Sequence, residues 1–536
     1  MSKLRCATIL IPLLLSITLL NAINDMPVIA AFQGEHHNSK YGYSMVSLDF
    51  NHDGFDDLAI CSFAYGYNYG ITPARGKVYI YYGGVGFNSA TPASITIEGT
   101  YANSVGRRIW GIYRVGDISG DGFDDLCMYV EDHISWNESY EKLLFFYGGT
   151  PNLDNPDHVL NFTIEMPTFT ALYSLGDMNG DGHDDIGILY PAQENRMSII
   201  WGGTYQEHIV SGGEASTSYS SSINGIGDIN NDGYADFTTA FATPTTNPTH
   251  NLIRLYYGNA AGNTDNPITL IYCQYGVSRG SKPLGDMNAD GFDDFMGYIT
   301  DEGMHAWLGG TNINYAVPSF NMAPSWYGGE FQRSLEHGDF NNDGYEDAVG
   351  ANFGSGFAVW LGKQNVNGTS DLIVYNDLGY ENYGYSLVTG DFNADGYDDI
   401  AVAASHEYDP WPSGNFTGYV WVYAGNSQLE DTTVAVDDPI TPGISGELAI
   451  KLSPNPISGA GQSLKVDLKS ADLNVGEQIV VEIFNIKGQS ILKEVYQTQI
   501  GAKTLQVATS SLSNGIYICR VTSGKHHALS KFSVIK

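Results

Sequence analysis

Residues 391–399 read D-F-N-A-D-G-Y-D-D, and this nine-residue pattern occurs seven times in the chain. The other copies are 49–57, 117–125, 177–185, 228–236, 286–294 and 339–347, with starts 68, 60, 51, 58, 53 and 52 residues apart. Position one is always Asp (Asp49, Asp117, Asp177, Asp228, Asp286, Asp339, Asp391), as are position five (Asp53, Asp121, Asp181, Asp232, Asp290, Asp343, Asp395) and position nine (Asp57, Asp125, Asp185, Asp236, Asp294, Asp347, Asp399). Position three is Asn51, Ser119, Asn179, Asn230, Asn288, Asn341 or Asn393, and Gly holds position six, where the chain must turn sharply. The position-seven carbonyls of Phe55, Phe123, His183, Tyr234, Phe292, Tyr345 and Tyr397 complete an all-oxygen set. Hard oxygen donors at alternating positions suit a hard cation, so each loop is a candidate calcium site, up to seven ions in all. The twelfth position of the last loop is Val402, not the Glu of an EF-hand, and the flanks read as strands rather than helices. A single D-x-N-x-D-G run is as well explained by a solvated turn. Seven at near-regular spacing leave that reading no room.

A period of roughly 50 residues accommodates one four-stranded propeller blade. Between the loops one order repeats: a strand into the loop, a strand out, a variable loop, an alternating strand ending in aromatic-Gly-Gly, and a fourth strand. K-V-Y-I-Y-Y-G-G at 77–84 and K-L-L-F-F-Y-G-G at 142–149 are examples. The sequence thus predicts an all-β fold: a seven-bladed β-propeller over 26–425, followed by a small C-terminal β-sandwich. The formal charge of −35 argues against a nucleic-acid partner. The excess acid has a place, because 27 of the 60 acidic residues lie in the seven loops. Seven calcium ions would offset about half of that loop charge.

These repeats resemble FG-GAP repeats, the blades of the integrin α-subunit propeller. Tyr41-Gly42 and Tyr383-Gly384 stand where that family has Phe-Gly, whereas Gly-Ala-Pro is degraded and comes closest at Gly350-Ala351-Asn352. The resemblance implies calcium loops between the first and second strands of each blade, on the lower face, with ligands engaged on the upper face.

Residues 1–22 read as a secretion signal: Lys3 and Arg5, an apolar run from Ala7 to Leu20 too short to span comfortably, then Ala22. No later stretch reads as a transmembrane segment. Cys61, Cys127, Cys273 and Cys519 are scattered singly, as expected of buried thiols rather than a disulfide framework. Residues 426–447 form an acidic linker rich in Thr and Pro. Over 448–536 the balance reverses, with ten Lys or Arg against five acids, and short alternating strands indicate the sandwich. Ser453-Pro454-Asn455-Pro456, Asn485 with Gly488, Leu512 before Gly515-Ile516-Tyr517, and the terminal Lys536 resemble the C-terminal sorting domain of the bacterial type IX secretion system. That resemblance implies the type IX machinery as a partner, removal of the domain, and a secreted or outer-surface location.

The expected function is binding of an extracellular glycan or protein, as in adhesion, and not catalysis. The alternatives are a polysaccharide lyase or hydrolase built on a propeller, and a surface-layer spacer. No G-x-S-x-G or H-E-x-x-H motif is present. His36-His37 and His526-His527 lack partners at helical spacing. The longest upper-face loops are expected in blades seven (405–417), one (64–76) and two (131–141), neighbours in a closed ring. They carry the candidate ligand-binding residues Tyr65, Tyr67, Arg75, Trp136, Tyr140, His406, Tyr408 and Trp411, with Tyr69 beside them. His36, Lys40, Tyr41, Arg107 and Tyr383 are expected on adjacent connections. Rigid aromatics beside cations suit a polar, ring-shaped ligand. Finally, the strand at 28–33 precedes the first repeat in the position of a fourth strand and is expected to close the ring beside 418–423.

Overall fold

The computed structural model describes most of residues 26–429 and 449–535, leaving out chiefly 67–73, 136–137, 162–170, 211–221, 244–249, 274–280, 323–333 and 406–417. The leader at 1–22 and most of the linker lie outside the described residues. All 36 described elements are strands. Two compact units divide between Val434 and Ala435.

The first unit contains seven four-stranded antiparallel sheets. Six are consecutive in sequence, spanning 41–98, 106–161, 171–209, 222–273, 281–322 and 335–375. The seventh takes Tyr383–Gly390, Asp399–Ala404 and Tyr419–Tyr423 from the end of the repeats and Val28–Gln33 from their start. Val28 faces Tyr423 and Gln33 faces Tyr419 in that register. A strand from each end of the repeats thus shares one blade, which leaves no open edge at the joint.

The inner strands are Tyr41–Leu48, Gly106–Arg114, Ala171–Gly176, Ser222–Gly227, Ser281–Gly285, Leu335–Gly338 and Tyr383–Gly390. Each packs on the next, and the last returns to the first. All seven line one central channel of about 510 Å³.

The core lies between blades, which explains the near-continuous apolar second strands. In Asp57–Ser62 every residue is buried. Leu58 and Ile60 face the seventh blade, packing with Ala401, Ala403, Val420 and Val422. Ala59 and Cys61 face the second, packing with Ile109, Ile112 and Met128. Period-two alternation therefore buries both faces of the strand.

The aromatic-Gly pair has a definite role in this packing. At Tyr41 the ladder bulges, with the register shifting between Tyr41 and Ser44, and Gly42 takes a φ of 83°. A Cβ there would approach the Ala403 side chain to 2.7 Å. Tyr41 consequently turns between the blades, is 1% exposed, and its hydroxyl meets that of Tyr81 at 2.9 Å. Tyr383 and Gly384 repeat the device, with the Tyr383 hydroxyl on that of Tyr423 at 2.8 Å. Tyr41 and Tyr383 are core residues and not part of a ligand face.

The second unit packs a three-stranded sheet (Ala449–Ser453, Ser463–Lys469, Thr504–Ala508) against a five-stranded one (Ile457–Ser458, Gln478–Asn485, Ser490–Gln497, Gly515–Ser523, His526–Ile535). Leu464, Val466, Ile479, Val481, Ile483, Val507, Cys519 and Val521 fill the space between them. Cys61, Cys127 and Cys519 are buried free thiols; the Cys273 side chain lies outside the described set.

Candidate metal loops and the opposite face

The seven acidic loops all join first to second strands and so share one face of the ring. Their internal wiring is nearly invariant. The position-one carboxylate accepts the N–H groups of positions five and six, as in Asp49 with Asp53 and Gly54 (3.0 and 2.9 Å). Asn51 accepts from Asp53 N–H, and Asp53 from Phe55 N–H. Position six has a φ of 88° at Gly54, in the left-handed region that glycine enters without strain.

Position nine does a second job. In all seven blades its Oδ1 accepts the N–H of the glycine two residues past the end of the third strand, at 2.7–3.1 Å (Gly83 to Asp57, Gly148 to Asp125, Gly202 to Asp185, Gly258 to Asp236, Gly309 to Asp294, Gly362 to Asp347 and Gly425 to Asp399). In five blades its Oδ2 also accepts the N–H of position two, for example Phe50 to Asp57 at 3.1 Å. The third-strand turn then reaches one blade back. The next residue's N–H donates to the position-two carbonyl of the preceding blade at all seven joints, from Gly84 to Phe392 through Asn426 to Phe340, at 2.7–3.2 Å.

These seven carboxylates are fully buried. Burial, with the charge of the other loop aspartates, pushes them up to about 7 in Asp57, Asp125, Asp185 and Asp294 and about 8 in Asp236, Asp347 and Asp399. Among the described residues no three His, Cys, Asp or Glu side chains already converge as ion ligands. Most loop acids are directed at backbone amides instead. Asp399 Oδ2 is buried and has no hydrogen-bond partner. An all-oxygen donor set, stacked acids and that orphaned oxygen fit a hard divalent cation.

The opposite face is irregular. Of the candidate ligand residues, Tyr67, Trp136, His406, Tyr408 and Trp411, like Tyr69, lie outside the described residues. Tyr65 is buried, 7% exposed. Its hydroxyl donates to Glu35 (3.2 Å), and Arg75 and Lys77 sit over its ring. His36 lies 5.0 Å from the same ring. Arg75 is paired with Glu98 at 2.6 Å.

Residues 131–141, expected as a loop, continue a β-hairpin: Leu126–Ser135 pairs with Glu138–Phe146, and Glu131 faces Glu141. Polar residues hold a strand here because cations from the neighbouring strands neutralise them. Arg107 forks onto Asp132 (2.7 and 3.0 Å), and Lys142 joins it at 2.8 Å. Burial would raise Asp132, but these two cations outweigh it and hold the carboxyl below its ordinary value. Tyr140 is exposed on this hairpin.

Blades seven, one and two do present aromatics together, but none of the four is among the expected ones. Tyr385, Tyr43, Phe63 and Trp110 form a continuous strip. Tyr43 lies 5.3 Å from Tyr385 and 4.3 Å from Phe63, and Phe63 stacks on Trp110 at 5.8 Å. All four are half-buried. Lys40 sits over Phe63 and Arg108 over Trp110. Trp110 occupies a bulge between Ile109 and Gly111, a device that re-aims a side chain, and its Nε1 donates to Glu131. Tyr43 and Tyr385 line the mouth of the channel. Each follows its aromatic-Gly pair by one residue, so strand alternation around the bulge was the available signal.

Residues 383–423, the first three strands of the seventh blade, match the FG-GAP repeat, and residues 451–536 match the secretion system C-terminal sorting domain. The chain carries both domains. The chain is also similar to integrin alpha-5 of Xenopus laevis, 31% identical over 179 residues, which is 32% of this chain and 16% of that protein. The chain therefore matches only a small part of that relative's length. Among solved structures, Sqt1 of Saccharomyces cerevisiae is 7% identical with a TM-score of 0.37, covering 83% of this chain and 96% of that one. The Photorhabdus luminescens Tc holotoxin pore is 9% identical with a TM-score of 0.29, covering 91% and 24%. At those scores neither likeness carries an argument. The C-terminal sorting domain marks a bacterial protein that is secreted or held at the outer surface and that engages type IX secretion machinery. No described helix is long and apolar enough to cross a membrane.

Proposed function

We propose that the FG-GAP propeller is a calcium-braced binding module, displayed or released outside the cell, that engages an extracellular glycan or protein as an adhesion protein does and catalyses no reaction of its own. The observation that carries this reading is the strip Tyr385–Tyr43–Phe63–Trp110 across three blades. Partly buried rings in a row offer their remaining apolar surface for stacking, with tyrosine hydroxyls beside them and the Lys40 ammonium over Phe63. That combination suits a sugar ring or a planar side chain.

Calcium would be held by the oxygens of positions one, three, five, seven and nine. When bound it would supply positive charge against three or four acids per loop. The loops themselves orient those oxygens through backbone N–H groups and fix the turns that stitch the blades.

The test is a glycan and extracellular-matrix array probed with and without calcium, followed by Phe63→Ala and Trp110→Ala. Binding to one ligand class, weakened about tenfold or more in either variant while the thermal melt stays within a few degrees, is the expected result. Full retention of binding in both variants would remove the strip from the site.

A further inference from the structure

The loops are joined to one another as well as to the sheets, through position eight. The carboxylate there reaches the preceding blade and accepts the N–H of that blade's first loop ligand: Asp184 from Asp117 (2.9 Å), Asp293 from Asp228 (2.8 Å), Asp398 from Asp339 (2.9 Å) and Asp56 from Asp391 (2.9 Å). At the first three of these joints the position-eight N–H also donates to the position-one carbonyl, a backbone bond that the uncapped joints at Ala235 (to Asp177) and Glu346 (to Asp286) make as well. The remaining joints differ in their residues. The fourth loop has Ala235 at position eight, Glu346 in the sixth turns to His337 (2.8 Å), and Asp124 in the second turns to Arg114 (2.8 Å).

Glycine precedes position one in all four capped loops, and also in the uncapped third and fifth; Leu48 does so in the first, where Asp124 is turned away. At Gly338 a Cβ would lie 2.6 Å from Asp398 Oδ2. The carboxylate can approach because no side chain is in its way.

We propose that calcium binding at neighbouring loops is coupled through these caps, and that the seventh loop organises the sixth through Asp398. This rests on the calcium reading above. An ion clamping Asp399 and the Tyr397 carbonyl fixes Asp398 between them. Asp398 then holds Asp339, the first ligand of the sixth loop, in place before its own ion arrives. Asp399 Oδ2, buried without a partner, marks the seventh loop as the one with an oxygen still to satisfy. Asp398 is a positioning residue and not a ligand. The coupling is interrupted where Ala235 replaces the acid, so the third loop does not depend on the fourth in this way.

Hydrogen exchange of the full chain, followed by mass spectrometry during a calcium titration, tests this loop by loop. In Asp398→Ala, the calcium concentration that half-protects 339–347 is expected to rise about three- to tenfold, the net worth of one typical hydrogen bond, although no sixth-loop residue has changed. Protection of 177–185 should keep its midpoint. Asp398→Asn, which retains an acceptor, should recover most of the shift, and serves as the comparison if the alanine variant does not fold, with Asp398→Glu as the displaced acceptor expected to weaken the sixth loop. Calcium-dependent protection at 339–347 with one midpoint in parent and variants overturns the coupling alone. An equal shift at 177–185 also overturns it, because that is general destabilisation. No calcium-dependent protection in the parent overturns the calcium reading and the coupling together.

Discussion

The two faces of the propeller are built on opposite terms. On the loop face each blade repeats one wiring scheme, in which a buried Asp at position nine ties loop, second strand and third-strand turn together, and a backbone bond passes to the preceding blade at every joint. On the opposite face, among the described residues, blades one and seven share the Tyr-Gly bulge, and no polar contact repeats around the ring as the loop wiring does. The polar contacts described there are individual pairs of mixed exposure: Arg75–Glu98 and Arg107–Asp132 are partly exposed, Lys77 is buried against a half-exposed Glu35, and Arg108 and His133 meet Glu131 with little exposure. On the proposed function, the difference separates the work of holding the ring from the work of meeting a ligand. Buried, repeated polar contacts bear on stability, and exposed, individual ones on recognition.

Calcium removal is the strongest way to break this contrast. Extracellular calcium modules bind with dissociation constants of roughly 10⁻⁴ to 10⁻³ M. At about 1 mM calcium each site adds on the order of 0.4 to 1.4 kcal/mol, and seven sites roughly 3 to 10 kcal/mol. That is comparable with a typical total stability of about 5 to 15 kcal/mol. Excess EDTA is expected to lower Tm substantially in calorimetry. An unchanged melt would mean that the amides alone hold the loop face, and the calcium reading would fail.

Asp347→Ala acts on one blade and is expected to have the next largest effect. Its carboxylate accepts the N–H groups of Gly362 (2.7 Å) and Phe340 (2.9 Å), both buried. Leaving two buried donors unpaired costs about 2 to 5 kcal/mol in all. Urea unfolding should show that loss, while affinity for an upper-face ligand stays within a factor of about two. A loss below about 1 kcal/mol would mean that water reaches these amides and that the loop face is less dry than its burial indicates.

The same contrast governs how much the sequence disclosed. The loop face was legible because its constraint is local: a metal-ligand pattern needs fixed spacing, and the pattern recurs in every blade. The closing strand was legible for a related reason, since Val28–Gln33 keeps the place of a fourth strand relative to a loop. Position nine's second role was hidden, because its partners Gly83 to Gly425 lie 15 to 26 residues away and the loop pattern already explained the Asp. The opposite face misled for a physical reason. Glu131, Asp132 and His133 look like loop residues until Arg107, Arg108 and Lys142 are brought beside them, and only the fold does that. Tyr41 was placed on the ligand face by its position, whereas the bulge at Gly42 turns it into the core and gives Tyr43 to the channel mouth.

The smallest expected effect sharpens the comparison from the exposed side. Glu35, just beyond the closing strand, accepts from Lys77 of blade one at 2.7 Å and from Tyr65. Burial alone would raise its carboxyl, but those hydrogen bonds and the Lys77 charge outweigh it and hold it below the ordinary glutamate value. A carboxyl depressed in the folded state adds stability above its unfolded value, near 4.3. That contribution is lost as pH falls through the lower, folded value. Glu35→Gln should therefore lower Tm slightly at neutral pH, and the gap from the parent should close as the solution is acidified below about pH 4. Side-chain exposure of 47% at Glu35 lets solvent screen the pair, so the shift should stay well under that of Asp347→Ala. A Glu35→Gln effect as large as the Asp347→Ala effect, or one that persists unchanged below pH 4, would show that the closing joint is held from the upper face and that the division of labour between faces is not as drawn.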